Sequence, residues 1–357
     1  MKKEIFIIIT LGLIIAITSS CNINETEKEL IFEENAQVLC YIPEYVVYGV
    51  PNEEKNKSYS FNIRKMNVSD GKIEDIGKVE YVGVYSNICT YQNDKIYICF
   101  AYDINFINNK NVRLCEIDIK NNTISVIFEF RSDSKLVYTI WMENERILLH
   151  GIENVDEGVI CSKVFVVSTS KKRLEKEIEY EDSKPVVAGY DDGNIYIIHS
   201  DGDGYSIDVY DNKYEIAANI DLSEINYFFY DADDKLSTVQ YLETKNDTFV
   251  ITLFGSSSIV LRYNQSKKLI EEKYIGDKLM PWNVACFENS NVRIYSTGKE
   301  NYEIDFEKAL VSKYAIDKMN DETYYTVLSY DYKNILITSR TKDNTGKTTK
   351  KYIIRSI

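Results

Sequence analysis

The chain has 357 residues, 44% of them hydrophobic, and 56 acidic against 42 basic side chains set its formal net charge at −14. A chain of this size can bury a large core, and its acidity excludes the clustered Lys and Arg that a nucleic-acid partner requires. Two histidines and seven cysteines without a C-x-x-C spacing leave no zinc-type ligand set.

Residues 1–20 stand apart from the rest. Met1-Lys2-Lys3 is basic and Ile5 to Ile17 is apolar. That run falls short of the roughly 20 residues a spanning helix needs, so it reads as an export leader. Thr18-Ser19-Ser20-Cys21 then resembles the lipobox of bacterial lipoproteins. The resemblance implies cleavage before Cys21, a lipid on that cysteine, and anchoring to the extracytoplasmic face of the cell membrane. Residues 21–28 are then a polar tether. The acidic body itself is not expected to adhere to an anionic membrane, which leaves the lipid as the anchor.

Leu30 to Glu34 is a lone strand candidate with no hairpin partner beside it. From there a unit repeats. Its second strand recurs as EYVVY from Glu44, KIYIC from Lys95, RILLH from Arg146, NIYII from Asn194, TFVIT from Thr248, NVRIY from Asn291 and NILIT from Asn334. Each is a short β-branched or aromatic run, most of them preceded by Asn, Asp or Gly, the pattern of a strand entered through a tight turn. A second series, LCEIDIKNNTISVIFEF from Leu114, YSIDVYDNKYEIAANI from Tyr205, IVLRYNQSKKLIEEKYI from Ile259 and YEIDFEKALVSKYAI from Tyr302, reads as strand, Lys/Asn/Asp turn, strand. Two patterns kept in register at propeller spacing predict an all-β fold of four-stranded blades, most simply a seven-bladed β-propeller.

The blades are expected at 37–83, 85–131, 136–181, 184–222, 236–276, 281–317 and 322–357. The last shows only three strands, so Leu30–Glu34 should complete it by pairing with Tyr352–Ile357. Residues 29–357 are thus a single domain. Blade rhythm and leader together resemble TolB-like and related bacterial lipoprotein propellers, which implies fold and location but no residue-level role.

Cys40, Cys89, Cys99, Cys115 and Cys286 sit inside strand runs, where a free thiol behaves as a small hydrophobe. If any disulfide forms, Cys89 with Cys99, on neighbouring strands, is the pair to expect. His150 and His199 fall on opposite strand faces and should not share a metal. The innermost strands are read as QVLCYI from Gln37, NICTY from Asn87, YTIWM from Tyr138, PVVAGY from Pro185, TVQYL from Thr238, NVACF from Asn283 and YTVLSY from Tyr325. None carries a charge or a histidine, which argues against the channel carboxylates of propeller hydrolases.

Two acidic turns stand out. Asp201 and Asp203 alternate as calcium ligands do, although the distal Glu of an EF-hand is missing, and no cofactor is expected apart from calcium there. Tyr227-Phe228-Phe229-Tyr230 is followed by Asp231, Asp233 and Asp234 in the longest link between blades. Aromatic rings beside carboxylates suit a sugar or a cationic peptide. Both turns belong to the loop-rich face, as does a hairpin with Lys342, Lys347, Lys350 and Lys351. The expected function is a binding or assembly-scaffold module for a protein or glycan at the cell envelope. The alternatives are a carbohydrate- or lactone-active enzyme and an accessory or sensor subunit of an envelope or transport complex.

Overall fold

The computed structural model describes residues 27–33, 35–53, 59–80, 84–85, 89–102, 111–132, 139–156, 159–182, 184–200, 204–230, 235–254, 257–277, 291–296, 301–314, 323–330, 334–342 and 348–356. They form a seven-bladed β-propeller. Within a blade the strands are antiparallel and follow one another in chain order, as in Val187–Asp191, Asn194–Ser200, Tyr205–Tyr210 and Ile216–Asp221 of blade 4. First strands of neighbouring blades touch, which places them innermost. All seven second strands begin within one residue of the recurring motifs, from Tyr45–Glu53 to Asn334–Lys342. Among the described residues no helix is long and apolar enough to cross a membrane.

The turn from first to second strand explains the punctuation. Asn93 and Asp94, Asn144 and Glu145, Asp192 and Gly193, and Asn246 and Asp247 all have positive φ. Two successive left-handed residues make a type I′ turn, whose twist matches that of the flanking strands and which Asn, Asp and Gly tolerate best. The carbonyl just before the second strand then accepts an N–H from the end of the third: Ile119 to Asp94 at 2.9 Å, Thr169 to Glu145 at 2.9 Å and Tyr263 to Asp247 at 2.9 Å. First-to-second and third-to-outer turns therefore share one face, the turn face. Blade links and middle hairpins share the other.

Alternation along each strand gives a blade two apolar faces, and the cores lie between blades. Leu39, Val47, Ile63, Ile96 and Ile98 join blades 1 and 2. Leu149, Phe165 and Val167 of blade 3 pack with Tyr97 and Leu114 of blade 2. Burial also explains the thiols. Cys40, Cys89, Cys99 and Cys115 are buried free thiols, Cys161 is buried as well, and Cys286 lies outside the described residues. Cys89 belongs to the core between blades 1 and 2, beside Cys40, whereas Cys99 belongs to the core between blades 2 and 3. The sheet separates the two, so Cys89 and Cys99, the pair to expect if any disulfide formed, do not meet.

The ring closes as a composite blade, with one correction. The strand is Glu27–Leu30, not Leu30–Glu34, and it pairs with Tyr352 to Arg355. Leu30 is buried, Ile31 turns to solvent, and Phe32 lies edge-on to Tyr48 and Tyr352 at 4.9 Å each. Phe32 thus covers the joint rather than extending the strand. Lys351 Nζ, one of the basic hairpin residues, binds Glu29 across this pairing at 3.2 Å.

His150, on the second strand of blade 3, is 2% exposed, and burial pushes its pKa down from 6.5 to about 4. Below pH 6.5 the unfolded chain takes up a proton that folded His150 refuses. Stability should therefore fall by about 3 kcal/mol as pH drops from 6.5 to 4. Urea unfolding across that window should show the loss in the wild type and a shallower one in His150→Leu. Equal slopes would assign the pH dependence to other groups.

Candidate functional site

Four inner strands end together at the channel mouth on the turn face: Thr90–Gln92, Ile140–Met142, Val187–Asp191 and Val239–Lys245. They and the second strand of blade 6, Val292–Ser296, enclose a cavity of about 170 Å³. One side of its wall is aromatic, with Tyr91, Trp141 and Tyr190 from blades 2, 3 and 4. The other is charged, with Asp191, Glu243, Lys245 and Arg293 from blades 4, 5 and 6.

These strands correct the expectation of an uncharged inner ring. The apolar runs end at Tyr190 and Leu242, but pairing continues through Asp191↔Asn194 and Lys245↔Thr248 up to the turns. Charged side chains are tolerated on the added residues because they lie at the mouth and find partners on the next blade.

Glu243 is the best-held of them. Arg293 Nε donates to its Oε1 at 3.1 Å, Tyr241 donates to Oε2 at 2.9 Å, and Tyr295 donates to the same Oε2. The two ion-pair side chains are 13% and 7% exposed. Asp191 Oδ2 accepts the backbone N–H of Asn246 at 2.7 Å, and burial raises its carboxyl above the usual range. Burial, then the Arg293 charge, lowers Lys245. Tyr91 donates to Asp94 Oδ1 at 3.1 Å, and burial and that carboxylate push the phenol up to about 12. Thr244 is buried, and its Oγ1 has no hydrogen-bond partner.

The residues singled out on the loop face fare unevenly. Link residues Ser223–Phe228 form a 3-10 helix, and Asn226 Oδ1 accepts the Tyr205 N–H at 3.2 Å, so the link lies beside the middle hairpin of blade 4. Tyr227 is 61% exposed and packs on Phe228 at 3.8 Å. Phe229 corrects the expected aromatic grip: it is fully buried, 4.9 Å from the Tyr205 ring, and serves the core. Tyr230 is partly buried and bridges to Leu236. Asp201, Asp203, Asp231, Asp233 and Asp234 lie outside the described residues, as does Cys21. His199 Nε2 is 3.3 Å from Asp208 Oδ2 in blade 4, while His150 is in the core of blade 3. Among the described residues no three His, Cys, Asp or Glu side chains group for a metal ion.

The fold and this mouth define a β-propeller with a polar-aromatic channel site. No family model matches the sequence, and no curated protein matches it. Solved structures resemble it. The chain aligns over 89% of its length with 95% of the β-propeller domain of the Trilobed protease from Pyrococcus furiosus, at 13% identity and a TM-score of 0.48. It aligns over 93% with 96% of YCF48 bound to a D1 peptide, at 10% identity and a TM-score of 0.49. An acylaminoacyl peptidase from Pyrococcus horikoshii aligns with 86% of the chain at 13% identity and a TM-score of 0.47, and the chain covers 49% of it. The chain thus spans about half the length of that peptidase, and these likenesses concern the fold alone.

Sequence reasoning missed Glu243 and Arg293. The one available signal was the continuation of TVQYL into Glu243-Thr244-Lys245 before the Asn-Asp turn. Arg293→Met should cost about 3–5 kcal/mol, because it leaves the Glu243 carboxylate desolvated without its counter-charge. Adding Glu243→Gln should recover part of that loss in chemical denaturation. A single variant as stable as the wild type would show that the pair contributes nothing net.

Proposed function

We propose that this protein is a lipid-anchored extracytoplasmic propeller that acts as a binding or scaffold module for a protein or glycan, with the channel mouth as its ligand site. The leader and Cys21 support export and anchoring. The observation that carries the site is the cavity wall itself. It sets three π faces, Tyr91, Trp141 and Tyr190, opposite a carboxylate and a guanidinium held in place by their own hydrogen bonds. Aromatic faces stack on sugar rings or cations, and pre-positioned charges orient a ligand at little entropic cost. Lys28, in the closing strand, donates to Ser69 O at 2.8 Å, in the third-to-outer turn of blade 1, so this end of the strand lies on the turn face.

A bound ligand should raise the unfolding midpoint of the full chain, by about 2.7 kcal/mol of stability at a hundred times its dissociation constant. Glycans, cell-wall fragments and peptides are the panel to test. Trp141→Ala should abolish the shift, and Tyr227→Ala should leave it intact. The reverse result would move the site to the loop face.

One observation favours the hydrolase alternative: Asp191 and Glu243 line a single cavity, Glu243 is paired with Arg293, and burial raises the Asp191 carboxyl above its usual range. Two carboxyls in unlike environments are the equipment of acid–base hydrolysis. If that chemistry operates, chromogenic glycosides or lactones should be turned over, and Asp191→Asn should remove the activity without loss of fold. Absence of turnover would leave binding as the function.

A further inference from the structure

Blades 1 and 2 meet through two thiols. Cys40 lies on the inner strand of blade 1, Gln37–Ile42, and Cys89 stands directly before the inner strand of blade 2, Thr90–Gln92. Both side chains enter the core that joins these blades, among Leu39, Val47, Ile96 and Ile98. Cys40 is 2% exposed and Cys89 is fully buried. The two thiols hydrogen-bond to each other across the blade boundary.

Strand alternation fixes this meeting. Cys40 and Ile42 point towards blade 2, while Tyr41 between them belongs to the core shared with blade 7. Cys89 and Tyr91 face blade 1, while the Thr90 hydroxyl between them reaches Thr139 O of blade 3 at 3.4 Å. Turning either thiol away would send its neighbours into the wrong core. Cys115 enters the same core from the third strand of blade 2, with the second strand between it and Thr90–Gln92. Two strand spacings put it about 9.5 Å from the inner strand, beyond the roughly 7 Å that a disulfide spans between Cα atoms. Cys99 faces blade 3.

We propose that Cys40 and Cys89 form a disulfide that staples blade 1 to blade 2 when the chain folds in the presence of a disulfide oxidant. The thiolate of one cysteine attacks the oxidant and releases half of it as a thiol, and the other cysteine then displaces the second half. One S–S bond breaks and one forms. The two cysteines give up two electrons and two protons, which leave on the two thiols of the reduced oxidant. The exchange belongs to folding rather than to the finished ring. Burial pushes the Cys40 thiol up, and a dry core leaves little thiolate to react, so the bond closes before the two blades have packed. Export by the leader would place the chain where such bonds persist. That point alone rests on the proposed location. The staple also bears on the channel mouth, because Tyr91, two residues after Cys89, packs on this core and lines the cavity.

The test refolds the full chain from urea with reduced and oxidised glutathione, alkylates the remaining thiols in denaturant and maps its peptides without reduction. Peptides linked through Cys40 and Cys89 are expected, with Cys99 and Cys115 alkylated. Alkylated Cys40 and Cys89 under excess oxidised glutathione, glutathione adducts at these positions, or a predominant bond to another cysteine overturns the proposal. The oxidised chain should also unfold about 5 °C or more above the same chain treated with dithiothreitol, because the bond closes a long loop in the unfolded state. In Cys89→Ala the two midpoints should coincide. A difference that persists there would assign the redox effect to another pair and overturn the proposal. Should Cys89→Ala not fold, the peptide map of the wild type decides by itself. If the bond forms on refolding but protein taken from expressing cells carries both thiols reduced, the pairing stands and the reading of export to an oxidising side falls.

Discussion

Every blade of this protein has two apolar faces, and its own strands cover neither. That constraint organises the rest. A blade is stable only between two others, as the cores joining blades 1 and 2, 2 and 3, and 3 and 4 demonstrate. An open row of such blades would leave one face bare at each end, so the row must close. Closure falls to four residues, Glu27–Leu30, paired on the last blade, and to Phe32, wedged between Tyr48 of blade 1 and Tyr352 of blade 7. Leu30, Tyr41, Tyr48, Leu336 and Ile354 form one core there, so first and last blades meet through the same kind of contact as any other pair.

The ring has a polar consequence at its centre. Inner strands converge, and the side chains at their ends leave the aliphatic layers. Their partners then come from the adjoining blade. Asp191 of blade 4 accepts from Asn246 of blade 5, and Glu243 of blade 5 is held by Arg293 and Tyr295 of blade 6. A buried ion pair is rarely worth more than the aliphatic pair that could replace it. Here it also fixes the position of two charges in a cavity wall, which is what recognition requires.

Much of the fold was legible because a strand's signal is local. NIYII, RILLH and TFVIT are short β-branched or aromatic runs of strand length, buried on both faces, and the Asn-Asp, Asn-Glu and Asp-Gly pairs before them are what type I′ turns demand. The errors cluster where the deciding contact is distant. Leu30 and Phe32 look like one strand, yet the chain leaves the sheet between them because Tyr48 and Tyr352 offer Phe32 a better site. Cys89 and Cys99 look like hairpin neighbours, yet the sheet puts them in different cores. Phe229 looks like one of four exposed aromatics, yet Tyr205 draws it inside. The inner strands look neutral if they end with their apolar runs, and that reading hid Asp191, Glu243 and Lys245.

The sequence by itself therefore determined the unit, its repetition and the ring, because period-2 alternation and turn chemistry are written within ten residues of any position. The tertiary structure decided which charges meet. Glu243 and Arg293 lie 50 residues apart, and Asp191 and Asn246 lie 55 apart. No local rule pairs them. They meet because closing the ring sets the end of each inner strand against the next blade.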